Sequence, residues 1–217
     1  RPRSVDEIRA EWAEAAAEAQ EALRLAEQQW GMNDSRLVAI LALLAECVRE
    51  IDYGVIDDKP LPHLLRAIAI AELTFSLDDP RLGDLCRQTG LALDTAGQIE
   101  AAAAMQRRAV EIFERLGRMN DVSFCVGALG ATLMRLNPEE ALPACRRWVE
   151  VESVHDPNST SHYAALSQLG RCLILVGRGE EALEVLQEAR AMLVERSKGQ
   201  PHRWMSELEE RIDEARA

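Results

Sequence analysis

The stretch that decides the fold is Leu166-Ser167-Gln168-Leu169-Gly170-Arg171-Cys172-Leu173, followed by Gly177 and then by Ala182-x-x-x-Leu186-x-x-Ala189. Leucines three apart beside a glycine give one small and one large apolar patch on a helix face. After the turn residue Gly177, a second run is apolar at every third or fourth position, so it too reads as a helix. The pattern recurs. Gly90, Gly130 and Gly170 stand 40 residues apart, and Leu93, Leu133 and Leu173 follow each by three. Gly97, Asn137 and Gly177 mark the turns, and Glu100, Glu140 and Glu180 come three residues later. Four coincident columns at one period define a repeat array, in which each unit is a pair of antiparallel helices.

The pattern resembles the tetratricopeptide (TPR) signature W-x-x-L-G-x-x-Y…A-x-x-x-F, with leucines in place of the aromatics. The second copy is Val126-x-x-Leu129-Gly130-x-x-Leu133 with Ala141-x-x-x-Cys145, and its turn is one residue short at Asn137-Pro138. The third is Cys86-x-x-Thr89-Gly90-x-x-Leu93 with Ala102-x-x-x-Gln106-x-x-Ala109, where Thr89 and Gln106 depart from the pattern. The TPR period is about 34 residues. The longer period here is similar to that of the maltose-regulon activators, the peptide-pheromone-responsive Rap-type regulators and the kinesin-light-chain-like repeats. The resemblance implies an all-α, right-handed superhelix (an α-solenoid). It also implies a non-catalytic domain that binds a peptide or protein in its concave groove, as the regulatory part of a larger bacterial signalling or transcription-regulating protein. A sensor for a small effector or signalling peptide is the alternative, and an enzyme comes third.

Residues 1–217 read as a single array. Ser4-x-x-Glu7 is a capping box that opens a lone helix over 4–30. Ala15-x-x-x-Ala19-x-x-Ala22 makes it the second helix of a pair whose partner would precede residue 1. Helix pairs follow at 35–76, 81–118, 121–154 and 159–197. A capping helix over 202–216 has Trp204 and Leu208 facing inward. The irregular connection from Tyr53 to Pro60 breaks the period, and such loops often carry function. Asp78-Asp79-Pro80, His155-Asp156-Pro157-Asn158-Ser159 and Gly199-Gln200-Pro201 are stop-and-restart signals.

A net charge of −12 argues against direct nucleic-acid binding and against an anionic membrane surface. The longest unbroken apolar run, Leu37 to Ala45, is far too short for a membrane span. Cysteines 47, 86, 125, 145 and 172 form no C-x-x-C and read as buried free thiols of a reducing compartment, which places the protein in the cytoplasm. Metal, phosphate-loop and dinucleotide motifs are absent from the sequence, and no cofactor is expected. The resemblance implies a concave groove lined, as in TPR-like arrays, by first-helix positions −6, −3, +1, +4 and +5 from each small residue. They supply the candidate partner-binding set: Arg87, Asp94, Phe124, Met134, Arg135, Arg171 and Ile174. Arginine forks match carboxylates, so this groove suits a peptide with an acidic group or a free C-terminus. The exposed end helices leave a homodimer open.

Overall fold

A computed structural model describes residues 3–51, 58–198 and 203–216. It contains ten helices and no strand among the described residues. These are α1 (Val5–Trp30), α2 (Leu37–Ile51), α3 (Leu61–Thr74), α4 (Pro80–Thr95), α5 (Ile99–Arg115), α6 (Met119–Leu136), α7 (Pro138–His155), α8 (Thr160–Leu175), α9 (Gly179–Ser197) and α10 (Met205–Arg216). They fall into two compact units, Arg1–Gly117 and Arg118–Ala217. Most of the 53–60 connection and the Gly199-Gln200-Pro201 break lie outside the described residues.

The helix ends follow local chemistry. Ser4 caps α1, and the capping box with Glu7 forms. Asp79, Asn137 and Ser159 accept from the first-turn amides of α4, α7 and α8 at 2.9, 3.1 and 2.9 Å, satisfying donors that have no partner within the helix. Gly97 and Gly177 turn the chain after α4 and α8 at φ 76° and 73°, a region that glycine enters at no steric cost. The short turn of the second copy is a single residue, and Asn137 ends α6 and caps α7.

In the first unit α1 packs on α2, α2 on α3, α3 on α4 and α4 on α5. Its core holds Leu37, Leu41, Leu82, Ile112 and Phe113, all essentially without exposure. In the second unit α6 packs on α7, α7 on α8, α8 on α9, and α10 against both α8 and α9. Leu166, Leu173, Leu186, Leu193, Leu208 and Ile212 fill that core. Each such side chain stabilises the fold by about 1.5–3 kcal/mol relative to exposure.

The repeated glycines let the helices of a pair approach. A Cβ on Gly170 would collide with the Leu186 side chain of α9, and one on Gly130 would lie 3.0 Å from Cys145 Sγ of α7. A Cβ on Gly90 would lie 2.8 Å from Gln106 Cγ of α5. Glycines outside the repeat columns do the same work. Phe113 lies over Gly83, Trp148 over Gly127, and the Ala215 carbonyl of α10 over Gly179.

Ion pairs tie alternate helices within each unit. Arg66 of α3 meets Glu27 of α1 at 2.5 Å, Arg108 of α5 meets Glu72 of α3, and Arg146 of α7 meets Glu181 of α9 at 2.7 Å. Partly exposed pairs of this kind contribute about 0–1 kcal/mol each, so they align the helices more than they stabilise them.

Candidate functional site

The seven sequence-derived residues divide between the units. Arg87 and Asp94 stand on α4 of the first unit, and the other five stand on α6 and α8 of the second. Arg87 is half-buried and pairs with Asp84, one turn earlier on the same helix, at 3.6 Å. Phe124 is 50% exposed, Arg135 and Arg171 are exposed, and Ile174 is half-buried. Met134 is buried at 9% exposure, so it belongs to the packing of its own unit and not to an open face. Gly127 and Ser167, also placed on the outward face by their spacing, are buried. Trp148 covers Gly127, and Arg211 of α10 donates to the Ser167 hydroxyl.

Around Phe124 the second unit opens a cavity of about 630 Å³. Phe124, Gly127 and Ala128 of α6 form one wall, Trp148 and Glu152 of α7 another, and Ser159, Ser161 and Gln168 close it from the α8 side. Glu152 is only 4% exposed. The Ser123 hydroxyl donates to its Oε1, and the Ser159 hydroxyl donates to its Oε2 at 3.1 Å. The Trp148 indole N–H in turn donates to Ser123 Oγ at 2.9 Å. Ser159 has two roles, because the same oxygen accepts the His162 amide that opens α8. His162 Nδ1 donates to the Pro157 carbonyl at 2.7 Å, the only role a carbonyl leaves to it, and this pins the connection between α7 and α8. Gln168 Nε2 reaches back to the Gly127 carbonyl at 3.0 Å.

A second cavity of about 290 Å³ lies between α8 and α10, with Tyr163, Arg171, Trp204 and Arg211 in its walls. Tyr163 and Trp204 stack with centroids 5.2 Å apart. Burial raises the Tyr163 phenol above its ordinary range. Arg171 forms no ion pair among the described residues.

All five cysteines are buried and free. Burial pushes Cys86 to about 11 and Cys145 to about 12, so neither presents the thiolate that nucleophilic chemistry requires at neutral pH. No cluster among the described residues has the composition of a metal site. No described helix is long and apolar enough to cross a membrane.

The buried Glu152 network was not legible in the sequence. Ser123, Trp148, Glu152 and Ser159 sit in three different segments, and only the pairing of α6, α7 and α8 assembles them. No sequence signal marked it, because Glu152 stands among other acidic residues, Glu150 before it and Asp156 after it.

The described residues form antiparallel helices, six of them (α4–α9) paired at a 40-residue period with a glycine at each close approach, and this is a TPR-like helical-repeat fold. Solved structures with this fold match the chain. A putative kinesin light chain with nearly identical TPR-like repeats from Podosopora anserina superposes with a TM-score of 0.74 at 17% identity, over 86% of this chain and 89% of that one. BtubC (BKLC) from P. vanneervenii gives 0.67 at 17% identity, over 99% of this chain and 88% of that one. At such identities the likeness is one of fold. No protein-family model matches the chain, and no curated protein matches it.

Proposed function

We propose that the chain is a non-catalytic interaction array, the regulatory TPR-like part of a larger bacterial protein akin to the maltose-activator or Rap-type regulators. It takes a peptide or protein partner along the first helices α6 and α8. The observation that carries this reading is Phe124. Half of this large ring is exposed beside a cavity of about 630 Å³, on the helix face that the repeat pattern leaves outward. Apolar exposure next to a concavity favours a partner that can cover it. Arg171, at the α8–α10 end of the same unit, meets an acidic group or free C-terminus of that partner.

The test is a selection of phage-displayed random 12-residue peptides on the purified chain, followed by affinity measurement on the wild type and on Phe124→Arg. Because Phe124 is exposed, the variant is expected to melt like the wild type and to lose binding by at least about tenfold. Unchanged binding by the Phe124→Arg variant would rule out this face as the docking site.

A further inference from the structure

The cavity beside Phe124 is lined by a buried carboxylate, Glu152, with His155 and Asp156 at the same wall. Glu152 is 4% exposed and forms no ion pair among the described residues. Two serine hydroxyls donate to it, one on each oxygen. A carboxylate offers about four acceptor sites, so two donors leave it half satisfied. Burying a carboxylate is unfavourable unless donors or a cation compensate. The side chain nonetheless lines an open cavity, between the exposed Phe124 ring and the Trp148 indole. Aromatic faces attract cations, and the attraction grows where water is excluded. The chain's net charge of −12 adds a long-range pull on basic segments.

Building on the reading of this face as a peptide-docking site, we infer that the cavity takes a basic side chain of the partner. A lysine or arginine head seats on Glu152, and its aliphatic stem lies against Phe124 and Trp148. The partner is therefore basic at the anchor and carries its acidic group or free C-terminus towards Arg171. Trp148 is wired to the site: its indole N–H bonds Ser123, and Ser123 bonds Glu152. A cation arriving at Glu152 redistributes those bonds and shifts the indole N–H resonance.

Two measurements on the intact chain test this. In the first, random 12-residue peptides on phage are selected on the wild type, and the enriched peptides are measured on Glu152→Gln. In the second, the indole N–H signals of the four tryptophans are followed by NMR on the wild type, with the Trp148 signal assigned by Trp148→Phe. Nα-acetyl-lysine methylamide and its norleucine counterpart are the titrants. The expected result is a basic residue at one fixed position of the enriched peptides. Glu152→Gln should weaken binding at least about tenfold, and a norleucine-substituted peptide should not distinguish the two proteins. Only the lysine amide should move the Trp148 signal.

If peptides are enriched without a basic position, or bind Glu152→Gln equally, the cation pocket is refuted while peptide docking stands. If no peptide is enriched but the lysine amide alone moves the Trp148 signal, the pocket stands and peptide docking falls. Equal response to both amides, or to neither, overturns the cation pocket even if the Glu152→Gln variant does not fold.

Discussion

Replacing Gln106 by leucine should stabilise the first unit. Gln106 is 2% exposed on α5, and neither its amide nitrogen nor its amide oxygen has a hydrogen-bond partner among the described residues. Each unsatisfied buried polar atom costs about 1–3 kcal/mol of desolvation, and leucine removes both. The site also accepts the shape. Gly90 lies against Gln106 in the first unit as Gly170 lies against Leu186 in the second, and Leu186 is fully buried there. Allowing about half of the gain to be lost to imperfect repacking, Gln106→Leu should add about 1–3 kcal/mol. For a unit of this size that raises the unfolding midpoint by about 4 °C per kcal/mol. Differential scanning calorimetry of the intact chain reads the change directly, with Gln106→Glu as the opposite control, expected to destabilise. The reasoning is refuted if Gln106→Leu unfolds at a lower temperature than the wild type, because the amide would then have to be fully paired in the folded state.

Gly170→Ala should destabilise the second unit by about 1–3 kcal/mol even though alanine is the better helix former. Adding Leu186→Ala should recover part of that loss, and a double-mutant cycle by urea unfolding measures the coupling. Gly179→Ala puts a methyl group 2.6 Å from the Ala215 carbonyl. It should loosen the end of α10 while leaving α8 in place, seen as faster amide exchange confined to α10. Asp34 is held down to about 2 from 3.8, first by its hydrogen bonds to the Arg36 side chain and then by the Arg36 amide. Its folded value lies below its unfolded one, so its stabilising effect is complete above pH of about 4 and fades as pH falls towards 2. A carboxyl NMR titration with an ordinary Asp midpoint would contradict this. With all five cysteines buried, a thiol-specific disulfide reagent at pH 8 should label none rapidly in the folded chain and all five in guanidinium; a fast equivalent in the native state would identify a misplaced thiol.

The repeat columns were legible because they report contacts between neighbouring helices. Gly90, Gly130 and Gly170 were readable as close approaches, and Ala182, Leu186 and Ala189 as the surface they meet. Gly83, Gly127 and Gly179 were not, since their partners Phe113, Trp148 and Ala215 lie 21 to 36 residues away with no repeated spacing to announce them. Outward positions were read less well than inward ones. Fixed offsets assume an ideal unit, but Trp148 folds over one such position and α10 covers another. That is why Gly127 and Ser167 are buried where the pattern left them open. The cavity acid was invisible for a different reason. Nothing about Glu152 in sequence separates a buried carboxylate from an exposed one until Ser123 and Ser159 arrive from other segments.

The one-residue turn at Asn137 carries a consequence for how the second unit is degraded. A protease must draw a locally unfolded stretch of several residues into its active site. At the turns after α4 and α8 three residues separate the helices, and fraying one helix end there leaves the other intact. At Asn137 the same residue closes α6 through its amide and opens α7 through its side chain. Unwinding either helix forfeits the cap of the other. Limited digestion should therefore spare the α6–α7 junction longer than the junctions at Gly97 and Gly177, and the α6–α7 pair should persist as a fragment after its neighbours are cut.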